Sequence, residues 1–276
     1  TFSKTKTILQ QKKYDLSILL HPGSLKISAL LMLAGIKYRI GCAKAGITYG
    51  KGFFLHKKIF PNNKWQHKVE DNLDVIKAIN IHHARTKLEV SVKLQAEKKI
   101  KAMFAKKKHP LIGINAASQH GTQRWYPERF ADVANQLIEK HEATIIFTGM
   151  ELERDQIEEI ISHIKNKDKI VNLTGKTRLE ELKAVIKNLD LLITIDSSAT
   201  HIASAFDTPV LTLFGPTIPH FWGPTGKNSS VIWKEKEACV GCRRYSCVYH
   251  KGHECMKLIT YQEVIQQVET MLSKKK

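Results

Sequence analysis

Residues 195 to 216 read IDSSATHIASAFDTPVLTLFGP, where an acid, two serines and a histidine separate two apolar runs. In an open parallel sheet, ligands bind outside the carboxyl ends of the strands, and Asp196 stands at such an end. Ser197 or Ser198 can cap a short helix running from about Ser198 to Phe206. Its leading N–H groups and the positive end of its dipole would then suit a phosphate. His201 lies in the first turn, where it can face the same ligand. The alternative is that Asp196 and Ser197 only cap the helix and that His201 fills a gap in the packing. A second polar loop, AASQHGTQRWYPERF (116–130), follows another apolar run and carries Ser118, Gln119, Thr122, Gln123 and Arg124. Two polar loops at one edge of one sheet would form a crevice.

Two further groups of residues could do chemistry. Cys239, Cys242, Cys247 and Cys255 are spaced C-x2-C-x4-C-x7-C, with His250 and His253 between the last two. Four thiolates could hold structural zinc, although the second pair is spaced more loosely than in common zinc modules; the other reading is reduced or partly oxidised thiols. Cys42, alone beside a strand, reads as a packing residue. Residues 96 to 108 place Ile100, Met103 and Phe104 at helical spacing among Lys98, Lys99, Lys101 and Lys106 to Lys108. That segment is either a helix lying on an anionic membrane surface or an ordinary solvent-facing helix.

The elements that must position these residues alternate at βαβ spacing from residue 111 onward. LIGINAA, ATIIFTG, KIVNLTG, LLITID and PVLTLFGP read as five strands separated by helices such as PERFADVANQLIEKH and RLEELKAVIKNLD. Fully apolar strands between helices predict an α/β fold with a parallel sheet covered on both faces. In the first 95 residues, DLSILLHPG reads as a strand, LKISALLMLAGI as a helix, YRIG as the start of a strand and WQHKVEDNLDVIKAI (65–79) as a helix. Two domains, 1–95 and 96–276, are expected, the first of them either small or incomplete.

The 276 residues carry 44 Lys plus Arg against 26 Asp plus Glu, a formal net charge of +18. Such an excess favours an anionic partner: nucleic acid, an acidic membrane surface or a phosphorylated small molecule. A nucleic-acid binder with a C-terminal zinc module would explain the charge and the cysteines. It would leave the strand-end loops without a purpose, and aromatics interleaved with the basic runs are sparse. No run of about 18 apolar residues and no leader pattern is evident, so the cytoplasm is the expected compartment.

The stretches IDSSATHIASAFDTPVLTLFGPT, INAASQHGTQRWYPERFADVA, IIFTGMELERDQ and CVGCRRYSCVYHKGHECMKLITYQEVIQQV, in this order, resemble glycosyltransferase family 9. That family contains the ADP-heptose:lipopolysaccharide heptosyltransferases. The resemblance implies a glycosyltransferase-B architecture of two Rossmann-like domains, the C-terminal one holding the donor and the N-terminal one the acceptor. The implied reaction moves a heptosyl group from ADP-heptose to the lipid-linked inner core, lipid A–Kdo or a heptosyl acceptor, with inversion and no required metal or other cofactor. An anionic inner membrane face would present that acceptor, and no nucleic acid is expected as a partner.

Carried over by resemblance, Asp196 matches the aspartate near the donor sugar, and Ser197 and Ser198 the residues whose amides hold the diphosphate. His201 matches the histidine of the same helix turn, Ser118 and Thr122 lie in the donor loop, and Glu153 matches an acid that meets sugar or ribose hydroxyls. This sequence departs from the family in three ways. Ser198 stands where Gly is usual, which would crowd the phosphate if the backbone were left-handed. Gln123 stands where a lysine contacts phosphate, so that Arg124 takes over the charge or donor affinity falls. The family's presumed general base is an aspartate in a first βα unit, and the resemblance begins about two such units along, roughly 60 residues at ~30 per unit. His21 and Lys26 are expected on the acceptor side, and no catalytic base is assigned. A relative that binds a nucleotide sugar without turnover is the other outcome of this departure.

Overall fold

The structure, a computed structural model, describes residues 2–20, 24–43, 52–60, 66–82, 87–235, 241–242, 244, 246–247 and 254–274. The chain divides into two compact units, Thr1–Thr86 and Lys87–Lys276. The break expected after residue 95 therefore falls earlier. The segment 87–93 is tied to the second unit by Lys87 on Asp207 and by the Lys93 amide donating to Glu180.

In the first unit, α1 (Phe2–Lys12) leads into β1 (Leu16–Leu19), α2 (Leu25–Leu33), β2 (Tyr38–Cys42), β3 (Lys57–Ile59) and α3 (Lys68–Lys77). The three strands pair in parallel in the order β1-β2-β3. Helix α2 starts where Ser24 accepts a hydrogen bond from the Ile27 amide, an N-cap that supplies one otherwise unpaired donor. Glu70 and Asp71 lie in the first turn of α3 and Lys77 in its last, the charge order that complements a helix dipole. Ile40, Cys42 and Val75 form a small core, and Cys42 is one of its packing residues, as its isolation in the sequence suggests.

The second unit runs α4 (Leu94–Phe104), β4 (Leu111–Asn115), α5 (Pro127–His141), β5 (Thr144–Phe147), α6 (Arg154–Ser162), β6 (Ile170–Asn172), α7 (Leu179–Lys187) and β7 (Leu191–Ile195). It continues with α8 (Ser198–Ala205), β8 (Val210–Phe214), α9 (Pro219–Trp222), β9 (Ser229–Trp233), α10 (Glu254–Lys257) and α11 (Tyr261–Ser273). All six strands are parallel, in the order β6-β5-β4-β7-β8-β9. Five of them are the expected ones. The sixth, β9, is half-buried along its whole length at the sheet edge, so its sequence lacks the continuous apolar run that marks the central strands.

Alternation along the central strands builds two cores. Ile112, Ile114, Leu191, Ile193 and Ile195 face α5, α6 and α11, whereas Leu111 and Leu192 face α4, α7 and α8. Gly113 faces the side of α4, α7 and α8, and a Cβ there would come 2.3 Å from Leu189 Cδ1 just after α7, so a side chain is excluded by that close approach. The basic helix α4 buries Ala96, Ile100 and Phe104, and packs on α7. Its rim lysines pair with carboxylates, Lys99 with Glu181 and Lys101 with Glu97. The expectation of an apolar face laid on a membrane is thus corrected: core packing takes Ile100 and Phe104, and Met103 alone of the three is at the surface.

Candidate functional site

Counted within the second unit, the strand order is 3-2-1-4-5-6, which reverses between β4 and β7. Loops leaving two neighbouring strands at such a reversal diverge to opposite faces and open a crevice at the carboxyl edge. The two expected polar loops leave from these two strands. Between them lies a cleft of about 680 Å³, a size suited to a nucleotide-like ligand. Its walls carry Asn115, Ser118, Gln119 and His120 after β4, Gly149, Glu151 and Glu153 after β5, and Gly175 and Thr177 after β6. Leu179 and Leu182 of α7 add an apolar side, and Asp196, Ser197 and Ser198 complete it from β7.

Ser197 caps α8: its extended backbone, φ −152° and ψ 170°, lets Oγ accept from the Ala199 amide at 3.3 Å. The Thr200 amide donates to the Ser197 carbonyl at 3.2 Å. The Ser197 and Ser198 residues stand at the cleft wall, at the positive end of the helix. Ser198 is the first residue of a right-handed helix, and it is not among the described non-glycine residues of positive φ. Its side chain therefore brings none of the strain that replacing a left-handed glycine would cause.

Asp196 is half-buried, and desolvation raises its pKa above the ordinary 3.8, with the Thr217 hydroxyl partly offsetting this. That hydroxyl is itself shielded from solvent. Glu153 is buried beside the cleft and its Oε2 accepts from the Met150 amide at 2.8 Å. Glu151 at the mouth is held by Arg154 through two hydrogen bonds of 2.7 and 2.6 Å, and this partner lowers its pKa. Gly175, at φ +71°, lets the carboxylate in, because a Cβ there would lie 1.8 Å from Glu151 Oε2.

The other expected residues are placed differently. Thr122 is buried and its hydroxyl donates to the Arg244 carbonyl at 2.9 Å, so it braces a C-terminal loop and does not line the cleft. Gln123 and Arg124 support Ser118 from behind: Ser118 Oγ donates to Gln123 Oε1 at 3.0 Å, and Arg124 Nε donates to the Ser118 carbonyl at 2.7 Å. Neither is among the residues lining the cleft. His201, half-buried in the first turn of α8, is likewise not among them. Lys26 is exposed in the first turn of α2, and His21 lies outside the described residues. Asn115, Gly175 and Thr177 were not foreseen as site residues, although Asn115 is the one polar side chain in LIGINAA.

Cys242, Cys247 and Cys255 form no disulfide, and among the described residues no three His, Cys, Asp or Glu side chains are grouped closely enough to hold a metal. Cys239, His250 and His253 lie outside the described residues.

Comparison with known proteins agrees with this arrangement. Lipooligosaccharide heptosyltransferase 2 of Campylobacter jejuni is 28% identical over 218 residues, covering 78% of this chain and 66% of that protein. Lipopolysaccharide heptosyltransferase 2 of Salmonella typhimurium is 25% identical over 285 residues, 96% of this chain and 77% of that protein. The chain thus spans just under two thirds of the first relative's length. The solved ADP-heptose lipopolysaccharide heptosyltransferase II of Escherichia coli shares the fold, with a TM-score of 0.79 at 22% identity over 99% of this chain and 81% of that one. A family 9 glycosyltransferase of Veillonella parvula gives 0.80 at 22% identity, over 99% and 78%. The family model for glycosyltransferase family 9 (heptosyltransferase) matches residues 3–253. The parallel α/β units, the strand-end crevice and this match over most of the sequence place the chain in glycosyltransferase family 9.

Proposed function

We propose that the chain binds ADP-heptose in the cleft between the β4 and β7 loops and takes part in inverting transfer of the heptosyl group to the lipopolysaccharide inner core. The observation that carries this reading is the start of α8 at the switch point of the sheet, with Asp196 beside it. The Ser197 and Ser198 amides and the helix dipole favour the diphosphate. Asp196 is set to meet a sugar hydroxyl, for a desolvated carboxylate gains most from a hydrogen bond it would otherwise lack. Glu153 stands on the opposite wall as the acceptor for ribose or sugar hydroxyls, and Ser118 closes the donor loop, braced by Gln123 and Arg124. Thr122 and His201 shape the donor site from outside the cleft wall.

The proposed chemistry is a displacement at the anomeric carbon. An acceptor hydroxyl forms the new C–O bond and gives up its proton, while the nucleotide diphosphate leaves with the electrons of the old bond. Preorganised amides at the diphosphate lower the barrier because negative charge grows there as the bond breaks. His21 and Lys26 are proposed on the acceptor side, and the base has no assigned residue. Relatives named as lipopolysaccharide heptosyltransferases support the donor and acceptor classes. Among the described residues no helix is long and apolar enough to cross a membrane. The lipid-linked acceptor would bring the protein to the membrane's inner face as a peripheral partner.

Calorimetric titration with ADP and ADP-heptose, beside a duplex DNA control, tests the binding. The expected result is saturable, one-to-one nucleotide binding and none to the duplex at physiological salt. Duplex binding without nucleotide binding would overturn the proposal. Adding lipid A–Kdo or its heptosylated form and following ADP release then separates turnover from binding alone.

A further inference from the structure

The side chain of Asn115 joins three strand ends at the cleft. Its Nδ2 donates to the Thr148 carbonyl at 3.0 Å and to Thr148 Oγ1 at 3.1 Å, after β5. A carbonyl can only accept, so this fixes the amide's orientation and turns Oδ1 toward β7. There Ser197 Oγ donates to Asn115 Oδ1 at 3.1 Å. The Thr194 hydroxyl lies 3.0 Å from Ser197 Oγ, but its own proton has backbone acceptors in Asn115 O at 3.1 Å and Ile195 O at 2.9 Å. Ser197 thus has two acceptors for its single proton, Asn115 Oδ1 and Thr194 Oγ1, and keeps a lone pair for the Ala199 amide it caps.

One hydroxyl thus does two things, and one of the two groups that orient it is 82 positions away in the chain. Without Asn115 Oδ1, the serine loses one of the two partners that hold its rotamer, and an Oγ that turns away no longer accepts from Ala199. The extended backbone at Ser197 that turns the helix start to the cleft would lose its tether. We propose that Asn115 is a positioning residue for the anion cradle: by holding the capping serine in one rotamer, it sets the affinity of the site for a nucleotide diphosphate. This rests on the reading that the diphosphate sits at the start of α8.

A double-mutant cycle on the full chain tests it, with ADP as the probe and thermal unfolding recorded alongside. N115A and S197A are each expected to weaken ADP binding about tenfold, the scale of one hydrogen bond to a charged ligand. The double variant should bind about as weakly as either single one, because both remove the same tether. Unchanged ADP affinity in N115A, or losses that multiply to about a hundredfold in the double variant, would overturn the proposal. Should N115A fail to fold, N115S enters the cycle with the same expectations, since its shorter side chain cannot span to Thr148 and Ser197 together. Absence of ADP binding by the unmodified chain, or no effect of S197A, would instead remove the underlying reading of the diphosphate site. An effect of S197A without one of N115A removes only the role of Asn115.

Discussion

Asp196 is a carboxylate that folding alone would not choose. Its pKa is raised by burial, so the folded chain holds this proton more tightly than the unfolded chain, whose value is near 3.8. The cost is absent below that value, grows as the pH rises toward the folded-state pKa and is constant above it. D196N should therefore raise the melting temperature at pH 7 to 8, with the gain vanishing toward pH 3.8. The same variant should weaken ADP-heptose binding more than ADP binding. A melting temperature that is equally changed at both ends of the pH range would contradict this account of Asp196. Asp196, Ser197 and Ser198 were legible because a polar cluster between two apolar runs is conspicuous. Asn115 was less so, because its meaning comes from Thr148, Thr194 and Ser197, which only the sheet brings to it. Thr122, Gln123 and Arg124 were read from type and loop position, but those cannot tell a side chain that lines a cleft from one that braces its wall.

At the scale of elements, burial settles what periodicity leaves open. In α4, Ile100 is 1% and Phe104 5% exposed, whereas Met103 is 36% exposed. F104A should cost about 3–5 kcal/mol of unfolding free energy, as aromatic truncations in a packed core do. M103A should cost under about 1 kcal/mol. Denaturant melts of the two variants check the contrast, and equal losses would place the helix elsewhere than on α7. Gly175 carries a different constraint, since its backbone is left-handed and Glu151 occupies the space of a side chain. G175A should lower stability by at least about 1 kcal/mol and release Glu151 from its seat, with the loss readable in a denaturant melt. The four central strands β4, β5, β7 and β8 could be read because they are apolar on both faces, and edge strand β6 from Ile170 and Val171 between two helical patterns. Helix α1, strand β3 and edge strand β9 could not: α1 buries none of its residues, β3 has three residues with only one half-buried, and β9 is half-buried throughout.

For the whole molecule, the formal net charge of +18 already counts every carboxylate. Lys99, Lys101, Lys108, Lys140 and Lys187 are joined to carboxylates, and exposed pairs of this kind contribute little stability. The division into two units was legible from the change in strand density. The position of the break was not, because Lys87 and Lys93 find their partners on α7 and beyond α8, far along the chain. Everything proposed about function depends on where the diphosphate sits. A crystal structure of the chain with ADP tests that most directly. Diphosphate oxygens are expected at about 2.7–3.2 Å from the backbone nitrogens of Ser197 and Ser198, with the ribose toward Glu153. ADP bound elsewhere, with the start of α8 facing only water, would contradict that placement.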